Sequence, residues 1–289
     1  MNKIKSLVCC TLLIGVGCET TQNQTVKYQS EDVLYKLGDK APLNSKIEDD
    51  KWLMIASSEN PTVDTIYANI AVGEVDSAIT LARNYIIESP NDLDAFVALS
   101  RALLANKQND LAAYYANYVL EKDPKRHDIL NIIGLTESLN AKSISEYKKA
   151  KLQFAKSFKV GKSIAAGLNL GHLELETGAL NAALFTFNEV KKACDDCSSA
   201  QLGMGITLRR LGKIDESISS LKRVSANGNS KHVANYHLAL SLKKAGEMSD
   251  AREILNEIMD EAPSSQEMLI SKTKALHQQI VFEMNESEI

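Results

Sequence analysis

An all-α chain, about six helix-turn-helix units stacked in series and closed by one further helix, is the fold class the sequence predicts. Three observations predict it. Five prolines and 14 glycines in 289 residues leave long stretches free to be helical, and aromatics at 6% are sparse for a β-sandwich or barrel. An interval of 34 residues recurs in five independent series: Gly178, Gly212 and Gly246; Gly171, Gly205 and Ala239; Pro90 and Pro124; Ala78 and Ala112; Ala183, Ser217 and Ala251. The glycines of the first series each follow an apolar stretch at helical spacing, such as "ITLRRLG". With 44% hydrophobic and 24% charged residues the chain can bury one core or several small ones.

The N-terminus has its own logic. Lys3 and Lys5 form a short positive region, Ser6 to Gly17 is apolar, and Gly15 and Gly17 precede Cys18, which is the layout of a secretory signal over residues 1–17. The run is too short to span a membrane. A buried N-terminal helix is a poor competitor, since Gly15, Val16 and Gly17 break it and Glu19 to Gln24 continue no apolar face. The same residues resemble the lipobox of bacterial lipoproteins, with Gly15 where that box prefers leucine. The resemblance implies that the chain is cut before Cys18 and that its thiol is the lipid attachment point. Glu19 stands where aspartate would signal inner-membrane retention, so the resemblance implies a bacterial envelope protein at the outer membrane, facing the periplasm. Two or more acyl chains anchor stably, because each buried CH₂ contributes about 0.8 kcal/mol. Gly15 and Gly17 also satisfy the small-x-small rule of an ordinary signal, so a soluble secreted form stays open. Residues 18–58 follow as a polar tether in which Trp52 to Ile55 form either an N-terminal cap or part of a partly ordered linker.

Each periodic position has a mechanical reason. Glycine suits the left-handed residue that ends a helix, so Gly73, Gly178, Gly212 and Gly246 are expected there. Three residues on, Asp76, Asn181, Asp215 and Ser249, with Asp110 in the equivalent place, are expected to cap the next helix. Gly134, Gly171, Gly205 and Ala239 in first helices, and Ala78, Ala112, Ala183 and Ala251 in second helices, let antiparallel partners approach closely. "LNLGHLELETGALNAALFTF" resembles the tetratricopeptide repeat (TPR) family in its spacing of Leu-Gly, Gly, Ala and aromatic positions. The resemblance implies a right-handed α-solenoid of repeats 59–92, 93–126, 127–163, 164–197, 198–231 and 232–265. The third repeat is about three residues long, the extra lying near Lys142 to Tyr147; the first carries Ile66 where a small residue belongs. Residues 266–289 add an amphipathic capping helix, with Met268, Leu269, Leu276 and Ile280 apolar, and an acidic tail.

Catalytic signatures are missing. Gly161-Lys162-Ser163 suggests a P-loop, but Lys156 stands where the required glycine belongs, so the tripeptide reads as a turn between repeats. The closest histidines, His232 and His237, are five apart and off the spacing of a helical zinc pair. The sequence therefore predicts no enzyme, no cofactor, no metal and no small-molecule substrate. A net charge of -4 without an aromatic-interleaved basic block points away from nucleic acid. Cys194 and Cys197 in "CDDC" allow a short-loop disulfide in an oxidising compartment or two thiols.

What the TPR resemblance implies for function is protein binding. Its groove positions, carried onto this chain, are Tyr67, Arg101, Asn131, Leu135, His172, Arg209, Tyr236 and Lys243, facing a protein or peptide segment of a partner. The tyrosines would supply contact area, and the cations would meet carboxylates. On this reading Arg209→Glu weakens recruitment and leaves helical content intact. The family's carboxylate clamp for chaperone tails is absent, since Val63, Tyr67, Val97 and Ala98 occupy its places. A TPR stack behind a lipidated cysteine is similar in architecture to the lipoproteins that assist type IV pilus secretins and to gliding-motility lipoproteins. That likeness implies a scaffold for an envelope assembly; an adaptor of periplasmic cell-wall enzymes is the alternative.

Overall fold

The computed structural model describes residues 61–141, 143–194, 197–225 and 230–287. The expected signal, Cys18 and the tether lie outside them. Among the described residues all regular structure is helical, and they divide into two compact bodies between Glu176 and Thr177.

The N-terminal body holds α1 (Pro61–Ala71), α2 (Val75–Glu88), α3 (Leu93–Ala105), α4 (Asn109–Lys122), α5 (Ile129–Asn140), α6 (Ile144–Lys159) and α7 (Ile164–Glu176). Consecutive helices pack together, and α1 with α3, α3 with α5 and α5 with α7 also touch. The C-terminal body holds α8 (Leu180–Ala193), α9 (Ser198–Arg210), α10 (Ile214–Ser225), α11 (Lys231–Ala245) and α12 (Met248–Glu261). A 3-10 turn at Ser264–Gln266 then leads into α13 (Glu267–Ser287). There α9 with α11 and α11 with α13 are the alternate contacts. This is an all-α helical-repeat fold.

Close approach within a hairpin is made by residues 12 apart. Ser100 Oγ donates to the Ala112 carbonyl at 2.7 Å, and Ser217 Oγ donates to the Gly205 carbonyl at 2.7 Å. Ala78, Ala112, Ala183, Ala239 and Ala251 are all fully buried. Large apolar side chains fill the space beside the glycines. A Cβ on Gly134 would stand 2.6 Å from Phe154 Cε1, one on Gly203 2.5 Å from Phe187 Cζ, and one on Gly205 2.6 Å from Leu221 Cγ. Ile66 is accommodated in the first hairpin fully buried, on the α1 face that packs towards α2 and α3.

The turns correct the capping expectation. Gly73, Gly178, Gly212 and Gly246 do adopt left-handed backbone, with φ of 87°, 79°, 79° and 85°. At three of them the exit bonds are complete: Gly73 N to Ile70 O with Glu74 N to Asn69 O, Gly212 N to Arg209 O with Lys213 N to Leu208 O, and Gly246 N to Lys243 O with Glu247 N to Leu242 O. This paired closure uses up the turn so quickly that the next helix begins early. Helices α2, α8, α10 and α12 start at Val75, Leu180, Ile214 and Met248, so Asp76, Asn181, Asp215 and Ser249 lie inside the first turn and are not caps. Glu74, Ala179 and Glu247 hold N-cap positions without side-chain bonds. Asp76, like Asp110, instead places negative charge at the positive helix end. Each also links repeats: Asn106 Nδ2 donates to Asp76 Oδ1 at 3.4 Å and Asn140 Nδ2 to Asp110 Oδ1 at 3.1 Å. Side-chain caps occur elsewhere. Asp92 accepts from Asp94 N before α3, and Ser143 with Glu146 forms a reciprocal capping box before α6. That box sits where the third repeat is long; α6 runs 16 residues against 14 in α2, α4, α8 and α12.

Lys107 takes the same turn position as the glycines, with φ of 61° and the same pair of exit bonds, Lys107 N to Leu104 O and Gln108 N to Leu103 O. A side chain in that region costs about 1–2 kcal/mol. Lys107→Gly is therefore expected to stabilise the N-terminal body by about 0.5–1 kcal/mol after glycine's extra unfolded-state entropy is subtracted. A denaturant midpoint that falls instead would contradict it.

Candidate functional site

The eight residues of the expected groove divide between the bodies, and each body is described by itself. In the N-terminal body the first helix of every pair carries one or two of them. Arg101 on α3 lays its guanidinium over the Tyr67 ring of α1, Cζ to ring centre 4.8 Å. The stack is amphipathic, since the ring face attracts the cation and both groups lose water. Arg101 also lies close enough to Asp128, at the start of α5, to favour its ionised form. Asn131 on α5 is buried, and its Oδ1 accepts from Asn169 Nδ2 of α7 at 2.9 Å. His172 on α7 is buried. Leu135 is fully buried within the apolar cluster that runs from Val63 to Leu173. It is a core residue and offers no open surface, which corrects its place in the groove.

Arg126 organises the edge of this face. Its Nη2 lies 2.8 Å from Asp94 Oδ1, while Nε and Nη2 reach Asp128 Oδ1 and Oδ2 at 2.9 and 2.8 Å. Asp94 and Asp128 are 34 residues apart, so one arginine ties the starts of α3 and α5. Burial would raise the Asp128 carboxyl, but the Arg126 fork outweighs it and holds that carboxyl below its ordinary value.

In the C-terminal body Arg209 on α9 is 1% exposed, and its Nη2 points toward His237 Nδ1 on α11 at 3.5 Å. Tyr236, half-buried, meets the His237 ring edge to face at 5.5 Å. Lys243 Nζ is 2.8 Å from Glu283 Oε1 of α13. All three cations expected to await a partner's carboxylates are therefore engaged within the chain, and that part of the reading is corrected: Arg101 by an aromatic face, Arg209 by burial beside an imidazole, Lys243 by an ion pair. Asn131 and His172, 1% and 2% exposed, are likewise buried, so Tyr67 and Tyr236, both half-buried, are the expected uncharged groove residues that keep open surface.

His237 and Asn169 were not legible as site residues. His237 follows Tyr236 by one and carried no motif; the 34-residue spacing of Asp94 and Asp128 was the one available signal for the Arg126 bridge. Burial, with the Arg209 charge beside it, pushes the His237 imidazole well below its ordinary value. A folded value below the unfolded one means that the stability it confers is complete above pH about 6.5 and is lost as pH falls toward the folded value. The C-terminal body should therefore melt lower at pH 5.5 than at 7.5, with a slope of up to about 1.4 kcal/mol per pH unit. His237→Gln should flatten that dependence, and parallel melting curves in both proteins would refute the assignment.

Gly161-Lys162-Ser163 forms the turn between α6 and α7, and Ser163 Oγ accepts from Ala166 N at 3.2 Å. Cys194 follows α8 half-buried and Cys197 precedes α9 buried. Among the described residues no three His, Cys, Asp or Glu side chains are grouped to hold a metal ion, and no helix is long and apolar enough to cross a membrane.

Helical hairpins of this length, closed by left-handed glycines and crossing at small residues, make an all-α helical-repeat fold. Residues 66–127 and 233–265 each match a tetratricopeptide-repeat family model. Those two segments carry tetratricopeptide repeats, a protein-interaction motif. PilF of Pseudomonas aeruginosa is similar in fold, with TM-score 0.62 and 15% identity over 77% of this chain and 96% of that one. PilW, described as a widely conserved type IV pilus biogenesis factor, is similar with TM-score 0.61 and 15% identity over 77% and 97%. YrrB, described as a TPR protein with an unusual peptide-binding site, has TM-score 0.50 and 19% identity over 67% and 97%. No curated protein matches the chain in sequence.

Proposed function

We propose that the chain is a non-enzymatic scaffold, held by a lipid on Cys18 at the periplasmic side of the outer membrane, that recruits a protein component of an envelope assembly of the type IV pilus or gliding-motility kind. One observation carries the reading: a repeat stack of the size and fold of pilus biogenesis factors follows an apolar N-terminal run ending in cysteine. The geometry supports a recruiting role, since Arg101 holds the half-buried Tyr67 ring in place before any partner arrives. Order of this kind lowers the entropy lost on binding. The partner is a protein or peptide segment laid along the first helices of successive repeats.

Two experiments test the proposal. Cys18→Ser should move the protein from the membrane to the soluble fraction of cells without changing its helical content; identical fractionation of the two proteins would remove the lipid anchor. Crosslinking in intact cells followed by mass spectrometry should then recover a ring-forming channel or fibre-assembly protein. Recovery of a murein hydrolase in its place would transfer the scaffold to cell-wall regulation.

A further inference from the structure

Charge is spread unevenly over the second helices of the repeats. Helix α6 carries Lys148, Lys149, Lys151, Lys156 and Lys159 against Glu146 alone, a net of +4, and Lys162 follows in the turn. Helix α12 carries one arginine against Asp250, Glu253, Glu257, Asp260 and Glu261, a net of -4, and α2, α4, α8 and α10 each lie within one charge of zero. The chain as a whole is at -4, so the basic charge of α6 stands against the protein's own balance.

Periodicity turns this charge outward. Tyr147, Ala150, Phe154 and Ser157 form the buried stripe of α6, which packs on α5 and α7. Lys148, Lys149, Lys156 and Lys159 are exposed, and Leu152 at 52% and Val160 at 59% stand exposed among them. Lys151 is paired with the buried Glu174 at 2.8 Å. Among the described residues no carboxylate lies within ion-pair distance of Lys148, Lys149, Lys156, Lys159 or Lys162.

We propose that the outer face of α6 docks on an anionic lipid surface, its lysines meeting headgroup phosphates while Leu152 and Val160 enter the headgroup boundary. Lysine is a compact point charge on a flexible stem and suits a diffuse layer of phosphates; α6 and its turn hold no arginine, the residue that would read a protein carboxylate bidentately. Exposed aliphatic side chains between lysines are the pattern of a helix that lies in the interface plane. A double-stranded nucleic acid would gain nothing from them. One lipid modification combined with a basic patch holds better than either alone, so the face would lay the scaffold against the bilayer to which Cys18 is proposed to tether it. This deepens the membrane reading above, and the test separates the two.

The test uses the full-length chain carrying Cys18→Ser, which cannot be acylated, and cosedimentation with vesicles of phosphatidylglycerol in phosphatidylcholine. Binding should exceed that to pure phosphatidylcholine and weaken as salt is raised. Combining Lys148→Gln, Lys149→Gln, Lys156→Gln and Lys159→Gln should cut partitioning on the order of 1,000-fold, with circular dichroism unchanged. Lys151 is left in place because it neutralises Glu174. Leu152→Ser with Val160→Ser should cut partitioning ~3-fold or more without altering the salt dependence. Equal partitioning of the lysine variant would overturn the proposal. So would equal binding to both vesicle types, or lysine-dependent binding to a duplex DNA oligonucleotide without binding to vesicles. Failure of the Cys18 anchor in cells leaves this assay untouched.

Discussion

Phe154→Ala is expected to destabilise the N-terminal body by about 3–5 kcal/mol, a large part of the 5–15 kcal/mol available to a typical domain. The ring is 1% exposed and closes the space over Gly134, so truncation leaves a cavity between α5 and α6 that neither helix can fill. Partial collapse is blocked because both helices are also held by further neighbours, α5 by α3 and α4, and α6 by α7. Chemical denaturation followed by circular dichroism measures the loss. Leu152→Ala on the same helix, at a half-exposed position, should stay within about 0.5 kcal/mol. Similar midpoints for the two variants would show that Phe154 does not anchor the hairpin. Gly134→Val reports on the same contact from the other side. Its side chain would have to displace the ring, at about 1–3 kcal/mol.

Arg209→Glu is expected to cost about 3–5 kcal/mol in the C-terminal body, because it places an uncompensated carboxylate where the guanidinium is 1% exposed beside a neutral imidazole. From sequence alone this substitution was expected to weaken recruitment and spare the fold; burial reverses the order. Thermal melting separates the two outcomes. A wild-type melting temperature with lost partner binding would restore the surface role. Arg209→Met keeps most of the packing volume and removes the charge, so it is the better probe of recruitment.

The two residue classes differ in how far sequence reaches. The hairpins were legible because their causes are local: Gly73, Gly178, Gly212 and Gly246 end helices through their own backbone freedom, and Gly205 with Ser217 cross because both are small. Lys107 escaped notice since nothing in a lysine's chemistry announces left-handed backbone. The capping reading missed by two residues for an equally local reason, the paired exit bonds that start α2, α10 and α12 early. The groove was another matter. Position in a repeat places Arg101, Arg209 and Lys243 on first helices, yet what each cation meets comes from elsewhere: Tyr67 from the preceding repeat, His237 from the next, Glu283 from the closing helix.

By itself the sequence determined the period of 34, the all-helical class, the turns and the small-residue crossings, because backbone conformation and helix spacing are settled by residues a few positions apart. Only the tertiary structure decided which groups lose water: that Leu135 lies in the core, that Arg209 is buried, that Lys243 is paired and that Lys148, Lys149, Lys156 and Lys159 of α6 stand exposed. Desolvation and charge pairing depend on neighbours brought in from 20 to 40 residues away, as with Lys151 and Glu174 or Lys243 and Glu283, and no local pattern encodes which of those neighbours arrive.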